Sequence, residues 1–155
     1  MEIKISLFIT MLLYAVVISQ SFFYLLAMEN ASKNMEAATY IESRKLLDNR
    51  LSRTLASTYY GALLSSIALA AFCITNPSGL LFISSIISLA ALVADIALTL
   101  KGNKPLNEII NSWTVSNYPD NWYQYRSKWF TFYNLRQIIN LTGFIVLLAG
   151  MVFGS

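Results

Sequence analysis

The residues best suited to chemistry are a few polar side chains inside otherwise apolar stretches of the chain. Arg136 and Asp95 are charged residues within such stretches. A guanidinium can stabilise a phenolate or enolate that develops on a bound molecule, and a carboxyl or phenol group can move a proton. Arg136 would take the first role, and Asp95 or Tyr133 the second. The candidate polar pocket consists of Gln20, Tyr24, Asp95, Tyr133, Arg136 and Asn140.

The spacing of polar and aromatic residues late in the chain predicts a single helix that begins near Asp120. Steps of three or four residues place one set on a common helical face. The set is Trp122, Arg126, Trp129, Tyr133, Arg136, Asn140 and Gly143. One interpretation is a membrane anchor, with tryptophan and tyrosine at headgroup level and Gly143 admitting a close neighbour. Arg136 and Asn140 lie deeper, where polar side chains face the bundle interior. A functional pocket and a hydrogen-bonded core therefore both remain open.

A second helical face carries the matching charge. The face consists of Ser84, Ser88, Ala91, Asp95 and Thr99, which recur at helical intervals. Residues this small and polar belong against other helices. Asp95 lies five residues before the end of its apolar stretch, and Arg136 lies five residues inside the next one. At 1.5 Å per residue both reach about 7.5 Å below the interface. We therefore expect an ion pair between them.

Composition narrows the possible functions. The chain has 155 residues, of which 56% are hydrophobic and 12% are charged, and a mean hydropathy of +0.54. It contains no histidine, which excludes Ser-His-Asp and Cys-His catalysis and His-ligated haem. The net charge of +3 is too small for a nucleic-acid partner, and the lone Cys73 cannot form an internal disulfide. We expect no metal site and no cofactor.

Four stretches have the length and apolarity to cross a bilayer, which needs roughly 20 residues. They are residues 5–28, 54–76, 80–100 and 131–153. The first is too long for the core of a signal peptide, so we interpret it as a retained helix. The turn residues 76–79 leave room only for a tight hairpin. The sequence therefore predicts one all-α domain over residues 1–155, an antiparallel four-helix transmembrane bundle.

The basic residues predict the orientation. Nine of the 11 Lys and Arg residues lie in the two long connectors, residues 29–53 and 101–128. Because basic loops stay on the cytoplasmic side, we expect both connectors in the cytoplasm and both termini outside, in a plasma or inner membrane. The first connector has helical spacing and either lies near the interface or extends the second span.

Two glycines carry structural expectations. Gly102 suits the end of the third helix, because glycine is the usual residue after a helix C-terminus. Gly61, with Ser65 and Ala68, predicts the close-packing stripe of the second span.

The second half of the chain resembles a known family. The pattern N-x-P-x-N-E, followed by spaced tryptophans and arginines, is similar to that of the anthrone-oxygenase-like integral membrane domain family. Many of its members are described only as a domain of unknown function. The residues that carry the resemblance are Asn103, Pro105, Asn107, Glu108, Trp113, Trp122, Arg126, Trp129 and Arg136. The resemblance implies four membrane helices and, by similarity to some fungal relatives, oxidation of polyketide anthrones without an obvious metal or flavin. This chain has Tyr133 where members often carry a histidine.

Two classes of function remain open. The first is a non-catalytic accessory or interaction subunit of another membrane protein, with the tryptophan-rich connector as its docking surface. The second is a lipophile-binding protein whose pocket takes an aromatic or quinone-like molecule and, in the enzymatic version, oxidises it. The expected partners are the lipid bilayer and either another membrane protein or a bound lipophile. Whether the protein is an enzyme is left open by the sequence.

Overall fold

The computed structural model describes residues 1–154, with the side chains of all of these except Ser52 and Arg53. Ser155, which the sequence analysis placed in the outer tail, lies outside the described residues. The described chain is helical and contains no β-strand. The elements are α1 (Glu2–Phe23), a π-helical turn (Tyr24–Met28), α2 (Glu29–Lys33), α3 (Ala37–Cys73), α4 (Leu80–Leu98), a second π-helical turn (Thr99–Asn103), α5 (Lys104–Ser112) and α6 (Trp122–Phe153).

Four of the helical segments in the described chain are long and apolar enough to cross a membrane. They are Glu2–Lys33, Thr54–Cys73, Leu80–Ser112 and Trp122–Phe153. Each predicted span falls on one of them, so the all-α four-helix membrane bundle is confirmed. The protein is an integral membrane protein.

The four long helices form a closed ring in which each packs on the next along the chain. α1 packs on α3, α3 on α4, and α4 on α6, while α6 returns to α1. The α4–α6 contact is the most extensive. This order follows from the short link of residues 74–79 and from the antiparallel run of successive helices. We call the end of the bundle near residues 74–79 the hairpin half and the opposite end the connector half.

Both connectors continue the membrane helices instead of leaving them. α3 begins at Ala37, so the first connector extends the second span, as one of the two alternatives proposed. α3 ends at Cys73, three residues before the predicted limit. The third helical segment continues to Ser112, so the prediction that Gly102 ends it is wrong. A Cβ on Gly102 would lie 2.5 Å from the ring of Phe132, so the glycine serves close packing on α6.

The predicted face of α6 is present. α6 begins at Trp122 and runs without interruption to Phe153. The positions of the predicted stripe are buried from Trp129 to Gly143, and the same face continues to Leu147 and Gly150. Trp122 and Arg126 are half-buried under the first connector. The periodicity therefore identified the inward face of this helix correctly.

The hairpin half is packed through small residues. Gly150 lies against Ser84, where an added Cβ would come within 2.6 Å of the serine Cβ. Gly143 lies against Ala91 and the Tyr14 hydroxyl. Around these contacts Tyr14, Val17, Ala62, Leu69, Cys73, Leu92 and Leu147 form an apolar core with little exposure. Close helix approach thus fills this half.

The inward face of α3 differs from the predicted one by a single residue. Ala62, Ser66 and Leu69 are buried, whereas Gly61, Ser65 and Ala68 lie at the edge of the interface. Both sets contain small residues at helical spacing, so composition alone did not distinguish them. A Cβ on Gly61 would make only an ordinary contact with Leu13.

Candidate functional site

The connector half contains a cavity of about 600 Å³. All four long helices contribute to it, through the end of α1, residues 44–60 of α3, the end of α4 with the π-helical turn after it, and residues 129–136 of α6. Its aromatic wall consists of Phe23, Tyr24, Tyr59, Tyr60, Trp129 and Tyr133. Its polar wall includes Gln20, Arg44, Asp48, Asn103, Asn107 and Arg136. Such a mixture of apolar surface and a few convergent polar groups is typical of a ligand site.

Both π-helical turns border this cavity. The first contributes Tyr24 and Met28, and the second contributes Thr99, Leu100 and Asn103. A π-helical turn inserts an extra residue into an α-helix and occurs frequently at functional sites. Here the two turns lie on separate helices and face the same space, which supports a functional role for it.

The predicted ion pair forms part of one wall of the cavity, which Arg136 lines and behind which Asp95 lies. Arg136 Nε is 2.5 Å from Asp95 Oδ1, and Asp95 is fully buried. Arg136 Nη1 also donates to Asn103 Oδ1 at 3.1 Å. The prediction from equal depth is therefore confirmed. Because Asp95 offsets the positive charge of Arg136, the two side chains together add no net charge to the cavity wall.

Tyr59 joins the predicted polar residues, and the sequence analysis missed it. Its hydroxyl accepts hydrogen bonds from Gln20 Nε2 at 3.3 Å and from Asn140 Nδ2 at 3.4 Å. The same phenol neighbours Asp95 and Arg136. The available signal was the position of Tyr59 one turn before Ala62 and two turns before Ser66, on the buried face of α3. This position indicates that Tyr59 is buried only when the buried face of α3 is already known.

The six candidate pocket residues are brought together, in two layers. Gln20, Tyr24, Tyr133 and Arg136 line the cavity itself. Asp95 and Asn140 lie behind it and reach it through Arg136 and Tyr59. Within the described residues, Asp95 Oδ2 and Asn140 Oδ1 are buried and have no hydrogen-bond partner.

An aromatic cluster forms the α6 side of the cavity. The Tyr133 ring stacks on Trp129 with centroids 4.7 Å apart and lies 4.2 Å from the Tyr24 ring. Phe130 makes an edge contact with Trp129, with centroids 5.5 Å apart. These rings give the α6 side of the cavity an aromatic, largely apolar surface.

Asn103 and Asn107 connect the second connector to that aromatic wall. Asn103 Nδ2 donates to the backbone oxygen of Trp129 at 3.0 Å. Asn107 Oδ1 accepts from Trp129 Nε1 at 2.8 Å and from Arg44 Nη2 at 2.9 Å. The Asn107 amide nitrogen donates to Asp48 Oδ1 at 3.0 Å. Asn107 therefore fixes the positions of both Arg44 and Trp129.

Other residues of the resemblance hold the two connectors together. The Arg126 guanidinium lies over the Trp122 ring at 4.5 Å and donates to the backbone oxygen of Met35 at 2.8 Å. Lys45 donates to the backbone oxygen of Trp113. Pro105 is the second residue of α5, directly after the π-helical turn, and Glu108 lines the cavity and is exposed. Of this set, Asn103, Asn107, Glu108, Trp129 and Arg136 line the cavity.

Arg44 is the second residue that the sequence analysis missed. It served there only as one of the basic residues that indicate orientation. In the structure its guanidinium lies 4.1 Å from the centre of the Trp129 ring, and the residue lines the cavity. Its signal was its place one helical turn before Asp48, which is a common feature of exposed helices.

Comparisons with known proteins give no assignment. The chain matches no protein-family model, no curated protein and no solved structure. Among the described residues there is also no group of three or more Cys, Asp or Glu side chains that could hold a metal ion. Function must therefore be argued from the cavity.

Proposed function

We propose that the protein binds an aromatic, quinone-like lipophile in the cavity of the connector half. The observation that carries the proposal is the space of about 600 Å³, which is large enough for a ring system and has stacked aromatic side chains along one wall. A packing subunit has no need for such a space, because empty volume inside a bundle destabilises it.

The boundary of the cavity favours a molecule supplied by the bilayer. Phe23, Leu51, Tyr60 and Leu100 line it and are also exposed on the outer surface of the bundle. A ligand that moves between the bilayer and the cavity would pass only apolar and aromatic side chains there. The polar groups Gln20, Tyr59 and Arg136 lie further inside and would orient its oxygen atoms.

The accessory-subunit function is the alternative. For that function, the tryptophan-rich connector was the expected docking surface. In the structure, however, Trp113 and Trp129 are buried within the chain and Trp122 is half-buried. A partner would have to contact other residues.

Oxidation of the bound molecule, which the anthrone-oxygenase resemblance implies, would need a proton acceptor beside it. Asp95 is bound to Arg136 behind the wall, so the proposal is limited to binding.

Lipophile binding can be tested by native mass spectrometry of the purified protein and by organic extraction of what co-purifies. Ala56 lines the cavity, so Ala56→Trp adds an indole there, whereas Ala71→Trp makes the same change at another exposed position of α3 that does not line it. We expect an aromatic lipophile with the wild type and with Ala71→Trp, and its loss with Ala56→Trp. Equal recovery from both variants, or recovery of bulk phospholipid alone, would contradict the proposal.

We also propose that both connectors lie in the cytoplasm, because they carry nine of the 11 Lys and Arg residues. In a Cys73→Ser background, Asn117→Cys tests the second connector and Ser78→Cys tests the hairpin turn, and both positions are exposed. An impermeant thiol reagent added to intact cells should label only Ser78→Cys. Labelling of Asn117→Cys alone would reverse the orientation.

A further inference from the structure

The two arginines of the cavity wall differ in how their charge is balanced. Arg136 is paired with Asp95 at 2.5 Å. Arg44 has no carboxylate oxygen within 4.0 Å among the described residues. Asp48, one turn further along α3, is an acid whose charge acts on Arg44, but the two Asp48 oxygens accept from the amides of Asn107 and Asn111. One positive charge at the cavity therefore has no direct counter-charge.

The contacts of Arg44 are all to neutral groups. Nη2 donates to Asn107 Oδ1, the guanidinium face lies on Trp129, and the buried Nε has no partner within the described chain. Its other ionisable neighbours include the phenols of Tyr24, Tyr40 and Tyr133. Burial raises the pKa of Tyr40 to about 12, so this phenol stays neutral at physiological pH and does not offset the charge.

Burial also lowers the pKa of the Arg44 guanidinium. Arginine nevertheless remains protonated in proteins because its ordinary pKa is so high. A partly buried guanidinium with a free donor thus remains cationic beside a cavity. Such a group is stabilised by an anion that accepts from it, and charge-assisted hydrogen bonds are about twice as strong as neutral ones.

We infer that Arg44 binds an anionic oxygen group of the ligand, so that the preferred lipophile is an acid rather than a neutral molecule. This inference rests on the proposed lipophile-binding function and specifies its ligand class. The ring system of the ligand would lie along the wall of Trp129 and Tyr133, with its acidic group directed toward Arg44. Asn107 positions the guanidinium through its hydrogen bond, and Trp129 positions it by stacking.

An acidic group could belong to a free aromatic acid or to the phosphate of a membrane lipid. The matched probes 1-pyrenebutyrate and 1-pyrenebutanol distinguish charge from shape, because they share the ring system and chain. The protein is placed in nanodiscs that contain a known fraction of the probe in the bilayer. Binding is measured as pyrene emission on excitation of the protein tryptophans, which transfer energy to a nearby pyrene. Nanodiscs of phosphatidylcholine alone and with phosphatidylglycerol show whether an anionic lipid competes.

We expect the wild type to prefer 1-pyrenebutyrate about tenfold, as a hydrogen bond to a charged group predicts. Arg44→Gln keeps a donor for Asn107 but removes the charge, so it should bind both probes equally. Arg50→Gln, an exposed position on the same helix, should retain the preference. Loss of butyrate binding when phosphatidylglycerol is added would identify the lipid phosphate as a competing occupant of the Arg44 site.

The outcomes separate this inference from the proposed function. Failure of both probes to bind the wild type would contradict the cavity as a lipophile site. Equal binding of both probes to the wild type would overturn the role of Arg44 and leave lipophile binding intact. That comparison uses only the unaltered protein, so it holds even if Arg44→Gln fails to fold. Retained tenfold preference in a folded Arg44→Gln would likewise overturn the inference.

Discussion

The hairpin half and the connector half are built from the same four helices, but the helices lie close together in the first and are held apart in the second. In the hairpin half, Gly150 and Gly143 bring α6 directly onto Ser84 and Ala91 of α4. In the connector half the same two helices carry Arg136 and Asp95, and Arg136 lines a cavity of about 600 Å³. Small residues allow backbones to approach, whereas long polar side chains hold them apart and must be satisfied by one another.

The polar residues of the two halves also differ in where their hydrogen-bond partners lie. Ser84 and Ser85 in the hairpin half donate to backbone oxygens of their own helix and need no other partner. Gln20, Tyr59 and Asn140 in the connector half bond between helices. A smaller groove of about 330 Å³ lies beside Ile5, Ile9 and Phe72 in the hairpin half, but it has no comparable polar network. Polar residues thus mark a site only where they converge on open space.

The largest effect should come from breaking the ion pair. Asp95→Asn or Arg136→Gln leaves one buried charge unpaired, and we expect each to lower the free energy of unfolding by about 3 to 5 kcal/mol. The double variant should lose less than the sum of the two. The measurement is a double-mutant cycle of SDS-induced unfolding. Strictly additive losses would mean that this pair does not hold the connector half together.

The next largest effect should come from filling the close contact of the hairpin half. Gly150→Ala puts a Cβ within 2.6 Å of the Ser84 Cβ, and overpacking of this kind costs about 1 to 3 kcal/mol. Ser84→Gly in the same chain should restore most of the loss. Gly61→Ala is the matched control, since its Cβ would meet Leu13 at an ordinary 3.4 Å. Similar unfolding curves for Gly150→Ala and Gly61→Ala would remove the distinction between the two halves.

A smaller effect is expected at the hydroxyl that joins α1, α3 and α6. Tyr59→Phe removes the acceptor of Gln20 and Asn140, and we expect a loss of about 1 to 2 kcal/mol. Tyr60→Phe, the adjacent exposed residue, should change stability little. Thermal unfolding in the same detergent compares the two. If Tyr60→Phe proved the more destabilising, the polar network would not be what stabilises this half.

The smallest effect should come from an exposed ion pair in the described part of the chain. Lys33 Nζ lies 2.6 Å from Glu29 Oε1, one helical turn apart, and the Lys33 side chain is 51% exposed. Pairs of this kind contribute less than about 0.5 kcal/mol because solvent screens them. Lys33→Gln should leave the thermal midpoint almost unchanged. A loss near that of Arg136→Gln would show that burial is not what gives the inner pair its strength.

The periodic features of this protein could be predicted from the sequence. The four spans follow from the length of apolar segments, and the inward face of α6 follows from steps of three and four between Trp122 and Gly143. The Asp95–Arg136 pair could also be predicted, because depth in a membrane can be counted along each helix and a buried charge needs a partner. These properties depend on one helix at a time, or on depth in the membrane, which can be counted along every helix.

The remaining features depend on which side chains meet across helices, and only the tertiary structure decided them. Gly102 was expected to end a helix, but the ring of Phe132 shows that it serves close packing. Tyr59 and Arg44 have no distinctive local pattern, and each acquires its role from residues on other helices. The cavity itself follows from how α1, α3, α4 and α6 enclose space. No single helix contains that information, because an empty volume is a property of several surfaces together.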